Sequence, residues 1–263
     1  MRYLVLSVGL LLASMGQATA GVAYVPPTVA AADTVAAPED LREDATALLT
    51  AVRDKDVDGL AKWFAPRVMT ISAGLELSRP RANDTIGPFK TAASLVAQLA
   101  QNTGGDWDVP PDVDVAAFLT KMELDFIEQS LTDGQAWGRD PMVKDAICSY
   151  AFEAYDLKAV GRAATALGIE SSGFRSVLKE QVLRDAPKTT GKPLATFTPG
   201  QLYALDYDTD TPTGWTAFHL PEGGVGFAKV GGDDLGVPYV SGLCFRQNKA
   251  GDWVVVAQAA TGL

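Results

Sequence analysis

Histidine is almost missing from this chain: His219 is the only one among 263 residues. Catalytic zinc sites use several histidines or a mixture of histidine and cysteine. Cysteine peptidases pair the nucleophile with a histidine. The G-x-S-x-G motif that presents a nucleophilic serine is also missing from the sequence. We therefore expect no bound metal, no cofactor and no catalytic residue that can be identified by motif, and we interpret His219 as an ordinary strand residue.

Long apolar runs are also scarce. The clearest covers residues 4–13, about ten residues, which is too short to cross the ~30 Å core of a bilayer. Arg2 precedes this run, and Ala18 and Ala20 follow it in the A-x-A arrangement of a cleavage site. The pattern predicts a signal peptide over residues 1–20 and a mature chain that begins at Gly21. We expect a periplasmic or secreted protein without an integral membrane segment after cleavage.

Basic residues are outnumbered. The chain has 22 Lys and Arg against 32 Asp and Glu, a formal net charge of −10. Loss of Arg2 with the leader makes the mature chain one unit more negative. A strongly acidic protein repels phosphate backbones and anionic membrane surfaces. Nucleic acid is therefore excluded as an expected partner.

Only two cysteines are present, Cys148 and Cys244. A cysteine pair in an exported protein predicts one disulfide, which here would close a loop of roughly 100 residues and contribute up to about 4–5 kcal/mol. We expect such a bond to join the two parts of the protein described below. Two buried free thiols are the alternative.

The N-terminal part of the chain has mainly helical signals. Residues 21–37 are rich in Ala, Val, Thr and Pro without periodicity, which predicts a disordered linker. From residue 38 to about 172, apolar residues recur at helical spacing. They predict helices at the start of this region and over residues 90–101, 113–131 and 141–150, with a strand over residues 68–72.

The pattern changes near residue 174. From there, apolar and polar residues alternate in short runs separated by Gly, Pro and Asp, which is typical of strands in a small barrel or sandwich. The sequence predicts a fold of the α+β class: a helix-rich domain over residues 38–172, followed by a small β-domain over residues 173–236. A C-terminal hairpin over residues 237–263 is expected to pack on one of these two domains.

Several motifs in the β-region occur in a characteristic order. Arg184 and Pro187 lie in V-x-R-x-x-P, Trp215 lies in a strand, and Gly226 and Phe227 end E-G-G-V-G-F. This order resembles the bacterial SH3 (SH3b) domain, a small β-barrel of cell-envelope proteins. The resemblance implies an SH3b-like barrel and a binding or scaffolding role.

The leading functional hypothesis follows from this resemblance. We expect a non-enzymatic envelope protein whose SH3b-like module binds peptidoglycan peptide or a periplasmic protein. Exposed aromatic residues commonly anchor such partners, and the candidates are Tyr207, Trp215 and Tyr239. A purely structural barrel without a ligand is one alternative.

The other alternative is a muramidase-like cell-wall hydrolase with its active site in the helical domain. Glycoside cleavage needs only two carboxylates. The acidic residues available in that domain are Glu76, Glu123, Asp125 and Glu128. Glu123 and Asp125 lie two positions apart on a predicted helix, so we expect them to point to different sides.

A D-x-D-x-D-G run at Asp54, Asp56, Asp58 and Gly59 matches the first half of a calcium loop. The position of the essential bidentate acid is occupied by Ala65. We therefore interpret these aspartates as caps of the helix that follows.

Overall fold

A computed structural model of the protein describes residues 21–30, 32–73, 77–104, 112–132, 136–231, 234–236 and 241–261. Over these residues the fold belongs to the α+β class, as predicted. The helices are α1 (Glu39–Arg53), α2 (Val57–Leu60), α3 (Ala92–Gly104), α4 (Val115–Thr132) and α5 (Leu157–Leu167). The strands are β1 (Phe64–Ala73), β2 (Ala82–Ile86), β3 (Ile147–Cys148), β4 (Phe174–Val177), β5 (Gln181–Arg184), β6 (Pro193–Phe197), β7 (Leu202–Ala204), β8 (Trp215–His219), β9 (Val225–Lys229), β10 (Leu235–Gly236), β11 (Gly242–Gln247) and β12 (Trp253–Thr261).

Local sequence explains the first elements well. In α1, Leu41, Ala45, Leu48 and Val52 recur at helical spacing and are buried, while acidic residues occupy the first turn, where the helix dipole favours them. Asp56 then caps α2 by accepting a hydrogen bond from the backbone N–H of Gly59 at 3.0 Å. The interpretation of Asp56 as a cap is confirmed.

The largest sheet has five strands in the order β2-β1-β12-β11-β3. Within this sheet β1 and β12, the first and last strands in the sequence, pair in parallel. Helices α1, α3 and α4 share an apolar core with β1, β11 and β12. We call this body the helix–sheet unit.

The C-terminal strands therefore do not form an appendage. β11 and β12 pair with each other and lie between β1 and β3 within the five-stranded sheet. Almost every described residue of β12 from Val254 onward is buried, as expected for a central strand covered on both faces. Of the two positions expected for the hairpin, the structure places it in the N-terminal part.

The strands predicted after residue 174 are present. They form a three-stranded sheet, β10-β4-β7, and a four-stranded sheet, β6-β5-β9-β8. A single bridge between Leu205 and Phe218 connects the two. Phe197, Tyr203 and Phe218 are at the centre of the core that the sheets share. We call this body, residues 174–236, the β-unit; within its described residues the strands do not close into a barrel.

Residues 21–37 differ from the prediction of a disordered linker. Apart from residue 31, they form an extended strap with backbone hydrogen bonds to both units. The N–H of Tyr24 donates to Pro221 O, and the N–H of Val35 donates to Trp137 O. The Tyr24 side chain is buried against Phe174. The strap forms no regular element of its own, so its order depends on long-range partners that a local pattern does not reveal.

Other local predictions also need correction. Residues 141–150 were expected to be helical but form turns and then β3. Residues 82–86 and 157–167 lie outside the elements predicted above. The first pair with β1 as an edge strand, where side-chain exposure conceals the usual alternation. The second are helical. In the part of the chain that is described, no helix is long and apolar enough to cross a membrane.

Candidate functional site

Tyr207 lies at the surface of the β-unit, directly after β7. Its side chain is 70% exposed, by far the most exposed aromatic residue among those described. The phenol oxygen accepts a hydrogen bond from Nη2 of Arg175 at 3.3 Å. Nη1 of Arg175 in turn donates to the carbonyl oxygens of Ser172 and Phe174. The ring also passes close to Gly173. The Tyr207 ring is therefore exposed to solvent, and its contacts with Arg175 and Gly173 restrict its orientation.

The turn that follows Tyr207 is held by its own hydrogen bonds. Asp206 is nearly buried, and its carboxylate accepts from the N–H groups of Asp208 and Thr209 at 2.9 and 3.2 Å. Asp208 and Asp210 remain exposed to solvent. The turn thus carries two exposed carboxylates within three residues of Tyr207 on a hydrogen-bonded backbone.

The other predicted binding residues are placed differently. Trp215 is partly buried at the start of β8, where its carbonyl accepts from the Thr211 hydroxyl at 2.9 Å. Trp215 and Tyr207 therefore lie at the two ends of one turn. Tyr239 lies outside the described residues. Tyr203, on the strand before Tyr207, is a core residue stacked on Phe197 at 3.6 Å.

The arrangement around Tyr207 suits recognition of an extended chain that carries a cation. An aromatic face attracts a cation placed over it, and neighbouring carboxylates strengthen that attraction. His219 lies at the end of β8, where its carbonyl oxygen accepts a hydrogen bond from the Tyr24 hydroxyl at 3.3 Å. Within the described residues, no group of three or more metal-binding side chains occurs.

The two cysteines form the predicted disulfide. They lie opposite each other on the adjacent strands β3 and β11, and both are fully buried. The expectation that the bond joins the two parts of the protein is not met, because both cysteines belong to the helix–sheet unit. The chain leaves the sheet after Cys148 and returns to it at Gly242, two residues before Cys244, so the bond closes the segment that contains the β-unit.

A buried ion pair between Arg81 and Asp140 lies beside this disulfide, and no local sequence pattern indicates it. Asp140 accepts from both terminal nitrogens of Arg81, from the Tyr150 hydroxyl at 2.7 Å and from the N–H of Met142 at 2.9 Å. Burial alone would raise the pKa of Asp140, but these hydrogen bonds together hold it below its usual range. The Arg81 guanidinium stacks on Phe152 at 3.9 Å. Four donor groups from three residues thus occupy the two carboxylate oxygens of Asp140, so no lone pair is left for a ligand.

A cleft of about 670 Å³ lies on the outer side of this ion pair. Phe152, Ile147 and Trp253 supply its apolar wall, and Arg139 and Lys144 lie at its edge. Arg139 contacts Asp33 of the strap at 3.4 Å. The cleft combines both signs of charge without a dominant one, so it does not indicate a ligand class.

The carboxylates of the hydrolase alternative are separated. Glu123 is fully buried beneath α3. Asp125 is exposed and pairs with Lys121, and Glu128 is exposed and pairs with Arg53 at 2.8 Å. Glu76 lies outside the described residues. The expectation that Glu123 and Asp125 point to different sides is confirmed, and the three described acids do not face a common cleft.

Comparisons with known proteins give no relative for this chain: no family model matches it, and no curated protein or solved structure is significantly similar.

Proposed function

We propose that the protein is an exported, non-enzymatic component of the bacterial cell envelope that binds a peptide through the β-unit. The partner is peptidoglycan peptide or an extended segment of a periplasmic protein. Tyr207 is the central contact, and Trp215 with the intervening acidic turn forms the rest of the surface. The resemblance of this region to SH3b domains and the leader-like N-terminus support the proposal.

The observation that carries the proposal is the exposure of Tyr207 on a fixed support. Large aromatic rings are usually withdrawn from water, and the other aromatic residues of the described β-unit are at least partly buried. Arg175 holds the Tyr207 phenol in place, so the ring loses little side-chain entropy when a partner binds. A rigid, exposed aromatic anchor is typical of binding surfaces.

Two further observations agree with this proposal. The disulfide between Cys148 and Cys244 fits folding in an oxidising compartment. The three described carboxylates of the hydrolase alternative are separated, which favours binding over glycoside cleavage. The exposed carboxylates of Asp208 and Asp210 favour a partner segment that carries an amine.

Retention on purified sacculi tests the proposal. The mature protein should co-sediment with sacculi, and Tyr207→Ala should weaken retention by roughly 5- to 30-fold, the range for loss of an aromatic anchor worth about 1–2 kcal/mol. Val25→Ala removes a side chain that is 83% exposed and is not part of the proposed surface, so it should leave retention unchanged. Retention no greater than that of an unrelated acidic protein would exclude the peptidoglycan partner.

Zymography on the same sacculi separates binding from hydrolysis. We expect no cleared band from the mature protein. A cleared band that survives Tyr207→Ala and disappears in carboxylate variants of the helix–sheet unit would establish the hydrolase alternative and overturn the proposal.

A further inference from the structure

Glu123 is the least expected residue of the interior. It lies on α4 among residues that face the core, and its side chain is completely withdrawn from solvent. One carboxyl oxygen, Oε1, accepts from Nε2 of Gln258 on β12 at 2.7 Å. The other, Oε2, lies 3.3 Å from the hydroxyl of Thr103 on α3. One carboxyl group thus connects two helices and a central strand.

The surroundings of Glu123 contain no compensating cation in the described structure. The sequences of α3 and β12 include no ionisable residue at all. On α1, Arg42 donates to Ala37 O, and Arg53 is exposed and bound to Glu128. Arg246 of β11 is exposed and donates to Lys144 O. On α4 itself, Lys121 is exposed and paired with Asp125. On β1 and β2, Arg67 and Asp84 are exposed.

The hydrogen bonds around Thr103 fit the protonated form of Glu123 better than the ionised form. The Thr103 hydroxyl has a single proton, and the carbonyl oxygen of Ala100 lies 3.1 Å from it as an acceptor. If Thr103 donates to Ala100, an ionised Glu123 places two acceptor oxygens against each other. A protonated Glu123 donates to Thr103 instead, and Gln258 still donates to the other carboxyl oxygen. Gln258 is itself oriented by Asn102, whose amide donates to Oε1 of Gln258 at 3.1 Å.

We propose that Glu123 is a proton-operated latch: as a neutral acid it joins α3, α4 and β12, and when it loses its proton it releases the helix pair from the sheet. An isolated charge in an apolar interior is very costly, and such groups become neutral instead. Consistent with this, burial raises the pKa of Glu123 well above its usual range, and the hydrogen bonds from Thr103 and Gln258 only partly oppose the rise.

The sign of the pH effect follows from this assignment. A glutamate in the unfolded chain loses its proton near pH 4.3, whereas the folded protein keeps the proton to a higher pH. Between these two values unfolding releases a proton, so stability falls as the pH rises. Below the lower value both states are protonated and the effect disappears. The contribution of Glu123 to the stability of the helix–sheet unit is therefore largest in acid and is lost as the medium becomes alkaline.

The test compares urea unfolding of the mature protein with that of Glu123→Gln across a range of pH. Glutamine keeps the shape, accepts from Gln258 and donates to Thr103, but does not titrate. The ratio of the unfolding constants, wild type over Glu123→Gln, should rise about tenfold per pH unit from the titration range of an exposed glutamate upward, until Glu123 ionises in the folded protein. Glu128→Gln, an exposed position on the same helix, should show no such trend. A flat ratio would overturn the proposal.

Two further measurements test the protonated form of Glu123 and the release of the helices. If Glu123→Gln does not fold, infrared spectroscopy of the folded wild type at a pH where exposed carboxyls are ionised should still show a protonated carboxylic acid. Absence of that band at every such pH refutes the protonated form. Release of the helices is read by hydrogen exchange. In alkaline solution, amides of α3 should exchange faster in the wild type than in Glu123→Gln at the same pH. Equal exchange would refute the latch.

Discussion

Reduction of the disulfide is the sharpest test of how this chain is held together. Cys148 and Cys244 are separated by 96 positions, and the closed segment includes α5 and the whole β-unit. In the chain-entropy model, a crosslink around a loop of this length stabilises the folded state by about 4.7 kcal/mol, because it restricts the unfolded chain. Retained structure in the reduced chain lowers this value, so we expect a loss of about 3–5 kcal/mol on reduction.

Urea unfolding with and without reductant measures this loss. The midpoint should fall when the bond is reduced. The dependence of the free energy of unfolding on urea should become steeper, since an uncrosslinked chain exposes more surface. The double variant Cys148→Ala, Cys244→Ala is the matched control, because reductant should have no effect on it. The variant also removes two buried sulfurs, so its own stability should lie somewhat below that of the reduced wild type.

Two results would refute this reasoning. A loss below about 1 kcal/mol on reduction would mean that the closed loop does not restrict the unfolded chain as the model requires. Labelling of two thiols in the native protein without reductant would mean that the bond is not formed at all. In either case, the strands β3 and β11 would be held only by their backbone pairing.

Two further predictions concern buried polar contacts. Arg81→Met leaves Asp140 buried without a counter-charge and should lower the free energy of unfolding by about 3–5 kcal/mol at neutral pH. This loss should shrink as the pH falls below about 4, because the stability that ionised Asp140 contributes disappears there. Arg139→Met, at an exposed pair, should cost at most ~1 kcal/mol in urea unfolding. Tyr24→Phe leaves the buried N–H of Ala204 without its acceptor and should lower the free energy of unfolding by about 1–3 kcal/mol. No change in thermal or urea unfolding would mean that the strap does not pack on the β-unit.

Local patterns predicted most of the elements that bury one regular face against the core. The spacing of Leu41, Ala45, Leu48 and Val52 indicated α1, and period-two alternation indicated the strands of the β-unit. The residues 82–86 and 141–150 were misjudged for the same physical reason. An edge strand with exposed side chains and a two-residue strand have too few buried positions to show a period.

The candidate binding site was predicted only in part. Tyr203 and Tyr207 fall on the same phase of an alternating run and look equivalent in sequence. Because β7 ends at Ala204 and Asp206 starts a capped turn, the ring of Tyr207 leaves the core while that of Tyr203 stays in it. The end of a strand depends on which partners continue beside it, and an alternating pattern does not record that.

By itself, the sequence determined the acidic charge, the leader pattern, the single histidine, the available cysteine pair and the local preference for helix or strand. These properties depend on composition or on neighbours a few positions apart. Only the tertiary structure decided that β12 pairs with β1, that the strap is ordered, and that Asp140 and Glu123 are buried with particular partners. Each of these features depends on contacts between residues far apart in the chain. The free energy of such contacts cannot be inferred from neighbouring residues in the sequence.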